Sequence, residues 1–573
     1  MYLRTTPRKN KDGSVVRYVQ LAHNVWDPVA KRSRTQVIYN FGRADEGSRA
    51  ALERLAGSLS RFLSPEAALF PAEGSGFKYL GGRPLGGAFV LDALWRRLGI
   101  DALLRRLLAG RRLDERAERV LFALIANRAL APSSKLAAAR WICEDVHIVG
   151  LPETTDDACY RGMDWLLEVQ PALEREVYHQ VANLLNLEVD LLFFLATSTY
   201  FELDEADEPV GRDERGEVLA AGDEGEAEPE AARLVGFRSR GLSKDHRKEL
   251  PQVVIGMAVT REGIPVRVWS WPGSTSDSAL IRQVKEDLGG WTLSRVVWVA
   301  DRGFASAENR RFLRRGGGRY ILGEKLRSGS AEAKAALSRA GRYQEVAGDL
   351  QVKEVRIAEG ERFVVCYNPQ GAERDAAVRA RLLARLGEMI AGSDKLSPTK
   401  RAELRGVLST KPGLARFLRT TAGGLLRVDE AAIKAEERLD GKYLLRSSDP
   451  TLSAEDIALG YKQLLEVERG WRLVEQVLEL RPVYHRREAR IRAHVVLCWL
   501  ALQLVRVVET TCEDSWPSLR HELQKMQLGS FQGAAGSFRQ RSEITAAQRA
   551  ILARLQLREP PLIQRLTPPA AAS

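Results

Sequence analysis

The chain is poor in the residues on which much metal and thiol chemistry depends. Its 573 residues include only five cysteines, seven histidines and five methionines. Cys143, Cys159, Cys366, Cys498 and Cys512 are scattered, with no Cys-x-x-Cys pair. That spacing argues against a zinc ribbon or a disulfide framework and suits a reducing cytoplasm. His246, His485 and His494 lack metal-ligand spacing and read as structural or phosphate-contacting groups. No uninterrupted apolar run reaches the ~18 residues of a membrane span. The start, Met1-Tyr-Leu-Arg-Thr-Thr-Pro-Arg-Lys9, has no apolar signal core. The expectation is a chain with no membrane partner.

What is abundant is charge, with one sign in excess. Lysine and arginine number 87 against 75 acidic residues, a net charge of +12. A basic balance favours a polyanionic partner, nucleic acid first, though charge alone is a weak argument. An apolar fraction of 45% is ordinary for a globular protein. The length allows two to four domains.

Residues 1–46 read as a small basic β unit, with strand-like runs at 15–21 and 35–41. Arg4, Arg8, Lys9, Lys11, Arg17, Lys31, Arg32, Arg34 and Arg43 crowd it. Such a unit is either a solvated hairpin or an arm that contacts phosphates. Residues 47–187 carry apolar positions at helical spacing through 89–107 and 119–130, with Ser133 or Ser134 starting a further helix. A helical N-terminal DNA-binding region is expected there, although no helix-turn-helix is identifiable.

From residue 188 the periodicity changes. Residues 190–201 form an apolar, aromatic and β-branched strand, followed by an acidic loop over 202–230. Two strands at 252–259 and 264–271 flank a hairpin-sized turn, and a helix follows over 276–288. Then Arg295-Val-Val-Trp-Val-Ala-Asp301-Arg-Gly303 reads as a buried strand ending in an acid and a glycine turn, with a helix at 307–315. A meander of three strands, a helix, and a strand ending in aspartate is the element order of an α/β, RNase H-like core: a mixed sheet flanked by helices. Its first part spans 188–317. An insertion over 318–440 mixes β-like pieces (319–322, 343–356, 361–367) with a charged helix near 374–391. The second part of the core, 441–510, opens with Ser453-Ala-Glu-Asp456, a capping-box pattern. The helix it starts carries Tyr461, Leu464, Glu468 and Glu475 on one face. A further apolar helix covers 491–508. Residues 511–573 read as a helical region with a Pro- and Ala-rich frayed tail.

Acids far apart in sequence that converge in space are what phosphodiester chemistry requires. Two hard divalent cations about 3.5–4 Å apart activate the attacking oxygen and stabilise the leaving one, and carboxylates hold them. Asp301 at a strand end and Glu468 on a later helix suit two such places. Each also has a plainer reading. Asp301 could be a turn-former, and Glu468 with Arg472 an i, i+4 surface pair worth ~0.5 kcal/mol. Tyr461 alone could be a helix-face core residue.

The ordered series of motifs resembles the insertion-sequence DDE transposases, in particular the branch with a Tyr-x2-Arg-x3-Glu-x6-Lys signature and a β-rich insertion. Val299-Ala-Asp301-Arg-Gly-Phe304 is similar to the second-Asp motif. Tyr461-Lys-Gln-Leu464-Leu-Glu-Val-Glu468-Arg-Gly-Trp-Arg472-Leu-Val-Glu475 is similar to the signature. Ser243-Lys-Asp-His-Arg247, Leu250–Ala258, Trp271-Pro-Gly-Ser-Thr-Ser-Asp277, 478–486 and His494 extend the likeness over most of the chain. The resemblance implies a bacterial, nucleoid-associated protein acting on terminal inverted repeats and target DNA as a homodimer. It implies Asp301 and Glu468 as ligands of two Mg²⁺ (or Mn²⁺) ions. Tyr461, Arg472, Lys244, His246, Arg247 and Arg302 would be DNA contacts.

The pattern fails at the chemistry. Where the family strand reads Asp-Thr-Thr-Ser-Thr-Tyr-Phe-Glu, this chain has Leu195-Ala-Thr-Ser-Thr-Tyr200-Phe-Glu202. Leu195 stands at the first-Asp position and offers no oxygen. Asp190 is five residues away, ~16 Å along an extended strand, and Glu202 is seven away. Asp204 and Asp207 would have to fold back from the acidic loop. Leu464 replaces the signature Arg and Glu475 its Lys. The expectation is a transposase with impaired cleavage, or an inactive relative that binds element ends or represses.

Overall fold

The computed structural model describes residues 2–28, 30–44, 49, 52–53, 55–56, 77–109, 116–187, 189–219, 233–245, 247–291, 293, 296–346, 348–358, 361–464, 477–533 and 536–567. The chain forms two compact units: Met1–Arg83 with Gln527–Glu543 and Pro560–Ser573, and Pro84–Met526 with Ile544–Glu559.

In the smaller unit, β1 (Tyr2–Lys9), β2 (Val15–Asp27) and β3 (Arg32–Arg43) make an antiparallel sheet in sequence order. Gly13, at φ +86°, supplies the left-handed residue for the first turn. β4 (Lys78–Pro84) belongs to a second sheet, described below.

The larger unit holds the expected α/β core. β5 (Leu191–Tyr200) is followed by the short pair β6 (Val210–Arg212) and β7 (Arg233–Val235), then β8 (Gln252–Thr260), β9 (Pro265–Pro272), β10 (Val297–Ala300) and β11 (Arg319–Glu324). After them come β12 (Gln344–Glu345), β13 (Gln351–Ala358), β14 (Glu361–Tyr367), the small hairpin β15 (Leu418–Thr420) and β16 (Leu426–Val428), and β17 (Lys442–Ser447). Nine of these form one sheet in the order β12-β13-β14-β17-β11-β10-β5-β8-β9. β5, β8 and β9 are an antiparallel meander, and β10 and β11 run parallel to β5. The RNase H-like arrangement is therefore present in β9-β8-β5-β10-β11.

β5 is a strand because both its faces are covered. A central strand covered on both faces carries continuous apolar sequence rather than alternation, and Leu192, Phe193 and Phe194 are fully buried. Leu192 and Phe194 join Trp298, Ala300, Tyr320 and Leu322 in a core under the helices Asp277–Leu288 and Ala307–Arg314. On the opposite face Gly460 lies against Leu191 and Ile321, which brings the helical stretch 454–464 onto the sheet. Ser453 and Asp456 form the reciprocal cap expected of them, each side chain accepting from the other's backbone N–H.

Several expected boundaries shift. Arg319–Glu324, placed in the insertion, is a core strand paired with β10 on one side and β17 on the other. The insertion's strands β12–β14 extend the same sheet through β17. Its helices Pro369–Ile390, Pro398–Ser409 and Glu430–Glu437 surround a separate small core at Leu386, Leu408 and Phe417. The helices between Gly86 and Leu185 belong to the same compact unit as the sheet. Glu488–Cys512 packs on β9 and on the helices Ala117–Leu130 and Asp156–Leu185. Among the described residues it is the one helix apolar and long enough to cross a membrane. Within its apolar stretch 89% is buried inside the protein, so it serves as a core helix. The C-terminal region is not only helical. β18 (Gln527–Gly533), β19 (Gly536–Arg541) and β20 (Ile563–Thr567) join β4 in a four-stranded sheet, so part of the expected frayed tail is strand.

Candidate active site

The site forms where β5 and β10 part company. β10 ends at Ala300, while β5 continues to Tyr200 paired only with β8. The parallel register pairs Phe194 with Ala300, so one residue further along Leu195 stands level with Asp301. Side chains alternate across a strand. Phe194 and Ala300 face the core under the helices, and Leu195 and Asp301 therefore share the other face. Neighbouring strands lie about 4.8 Å apart, close enough for two carboxylates to share a cation. Here the residue level with Asp301 is a leucine, only 6% exposed.

Asp301 is exposed, and its Oδ1 accepts a hydrogen bond at 3.1 Å from the Tyr461 hydroxyl. The residues are 160 positions apart. Tyr461 approaches because Gly323, at the end of β11, has no side chain. A Cβ there would collide with the tyrosine hydroxyl oxygen. The Tyr443 ring lies over Tyr461 with centroids 6.1 Å apart and planes 26° from parallel. Burial pushes the Tyr443 phenol well above its usual range. Beside this pair is a cleft of about 480 Å³ lined by Lys462, Asn368, Gln370 and Asp349.

Lys244 lies against the end of β5 and the helix that begins at Asp277. Its backbone N–H donates to Ser198 Oγ at 2.9 Å. Its ammonium donates to the Ala196 carbonyl oxygen and lies 3.3 Å from Asp277 Oδ2. Arg302 follows Asp301 into solvent. Arg247 stands off from this group: it lies over the Tyr200 ring at 5.1 Å and pairs with Glu249 and Glu202.

Of the sequence candidates, Asp301, Tyr461, Lys244 and Arg302 thus gather around position 195, and Arg247 sits at the far end of β5. Glu468, Arg472, His246 and Glu475 lie outside the described residues. Leu464 is buried, which is consistent with a packing role in place of a charged contact. His485 and His494 sit in the interior near Lys135 and Arg128. Burial holds His485 down to about 4 and His494 well below the usual histidine range, as structural residues. Gly323, Tyr443 and Asp277 were missed as site residues. Asp277 closes a motif already singled out, whereas nothing in the sequence marked Tyr443.

The family's divalent cations need several oxygen donors. Among the described residues no three His, Cys, Asp or Glu side chains come together as a metal site. Asp301 alone is too few, and Lys244 adds a positive charge nearby. Of the two ligands that the resemblance implies, Asp301 is described and Glu468 lies outside the described residues.

Comparison with known proteins agrees with the motif series. Residues 3–68 match the N-terminal domain of IS1634 family transposases, and residues 237–504 match the transposase DDE domain. No curated protein matches the chain. A solved piggyBac transposase synaptic complex with hairpin DNA is 10% identical, covering 76% of this chain and 77% of that one, with a TM-score of 0.35. A likeness that loose carries no argument. The two domain matches fall in chain order, the second across the sheet that bears Asp301, and the chain belongs to the insertion-sequence DDE transposases.

Proposed function

We propose that this protein is the transposase of a bacterial insertion sequence that binds the element's ends, with strand cleavage and transfer impaired at the chemical step. The observation that carries the reading is Leu195 level with Asp301 on adjacent strands. A carboxylate at that place would complete a pair of oxygen donors; a leucine leaves Asp301 without one. In an intact site, Mg²⁺ or Mn²⁺ would activate the attacking oxygen and stabilise the leaving one. Neither nearby acid takes the place of the missing ligand. Asp190 precedes the strand and pairs with Arg261 at 2.8 Å. Asp207 is held by Arg238.

DNA is the partner, as terminal repeats and target, and a homodimer on paired ends is the form we propose. A second reading is an end-binding protein or repressor with no cleavage at all. It is favoured by Arg302, which is exposed directly after Asp301 and would attract phosphate without a metal.

The test is incubation of purified protein with its own element ends and Mg²⁺ or Mn²⁺, scored for a nick that leaves a 3′-OH. The expected result is binding without nicking, and metal-dependent nicking once Leu195→Asp is introduced, raised by orders of magnitude. Nicking by the unaltered protein at the variant's rate would show that other carboxylates form the site. Binding with no rescue would favour the second reading.

A further inference from the structure

We propose that a second cleft, lined by Arg302 and Gly303 just after Asp301, seats consecutive phosphodiester groups of a bound DNA strand. The inference rests on the end-binding reading and assigns it a surface. The cleft has a volume of about 610 Å³ and opens at the carboxyl ends of β5, β10 and β11. Its lining includes Thr197, Lys244, Asp277, Arg302, Glu324 and Lys325.

Charge accounting gives the cleft its sign. The two acids are already matched: Asp277 faces the Lys244 ammonium, and Glu324 pairs with the buried Arg446 at 2.8 Å and with Arg310 at 3.8 Å. Arg302 and Lys325 are left over. Each directly follows an acid at the end of its strand, each is exposed, and neither side chain has an ion pair among the described residues. Two cations on the rim of the cleft, without an ion pair among the described residues, call for an anion with at least two charges.

The wall adds to the same field. Three helices, Asp277–Leu288, Ala307–Arg314 and Ala331–Ser338, begin at the cleft, and their N-cap residues Ser276, Ser306 and Ser330 all line it. Helix N-termini carry partial positive charge and unpaired backbone N–H groups. Hydroxyls at Thr275, Ser278 and Ser328 supply further neutral donors. Because these cations are exposed on the rim, the site suits a chain running through it better than a small molecule enclosed by it. Asp301 precedes Arg302, so a strand held here passes the carboxylate.

The experiment measures binding of the full-length protein to a labelled random-sequence duplex, and to one carrying the element's end, over a range of NaCl. Each phosphate contact contributes a slope of about 0.9 in log K against log salt. Arg302→Gln with Lys325→Gln should lower the slope by about two and weaken binding at least about tenfold at low salt. Lys400→Gln with Arg405→Gln removes the same charge from an exposed helix elsewhere and should leave the slope unchanged. All four side chains are exposed, and a circular dichroism melt confirms that the variants are folded. Failure of the unaltered protein to bind either duplex would overturn the DNA reading itself. Binding that is intact in the Arg302/Lys325 variant, or reduced equally in the control, would overturn the cleft alone. So would loss in that variant of inorganic phosphate binding only, which would mark a small-anion site.

Discussion

Leu195→Asp tests the central argument through stability, without needing catalysis. Leu195 is 6% exposed, so replacing it forfeits about 2–3 kcal/mol of apolar burial. The new carboxylate would stand about 4.8 Å from the strand that ends in Asp301, where two like charges at an effective dielectric of 20 repel by roughly 3 kcal/mol. The Lys244 ammonium on the Ala196 carbonyl offsets part of that. In EDTA the variant should therefore be less stable than the parent by roughly 3–5 kcal/mol. A divalent cation reverses the sign of the interaction between the carboxylates. At 100 times its dissociation constant it returns about 2.7 kcal/mol. The assay is the urea midpoint of each protein with EDTA and with Mg²⁺. The parent should be indifferent to metal and the variant should recover, and adding Asp301→Asn should abolish the recovery. A parent that responds to Mg²⁺ as strongly as the variant, or a variant with no response, would refute the placement of Leu195 beside Asp301.

Two further outcomes follow from buried groups. Lys135 is 3% exposed, and burial, aided by Arg128, lowers its pKa to about 7. An ammonium whose folded pKa lies below its unfolded value costs stability fully below pH 7, and the cost fades as pH rises toward the unfolded value of 10.5. Lys135→Met should stabilise the protein by roughly 2–4 kcal/mol at pH 6, with the gain shrinking by pH 10; a variant less stable than the parent at pH 6 would contradict this. At Gly323, alanine should cost roughly 1–3 kcal/mol by overpacking against the Tyr461 hydroxyl. The cost should be smaller in a Tyr461→Phe background, and strict additivity in a double-mutant cycle would show that the two do not touch.

The sequence by itself determined the class of protein. Strand and helix periods marked out the meander, the strand before Asp301 and the helix after Ser453, because buried apolar patterning is local information. The motif series also singled out Leu195, at the place where the family resemblance implies an aspartate. Tertiary structure alone decided what stands beside that leucine. The parallel register that sets it level with Asp301 joins strands about a hundred residues apart, and the Tyr461–Asp301 bond spans 160. Lys244 reaches back 48 residues to the Ala196 carbonyl. β11 read as part of the insertion because a six-residue strand looks alike wherever it pairs, and only β10 and β17 on its two sides make it core. Such pairings depend on chain closure over long loops, whose low cost per added residue leaves no local sequence trace. The surplus of positive charge was countable from composition, but its concentration at Arg302 and Lys325 depends on which acids other cations neutralise in the folded chain.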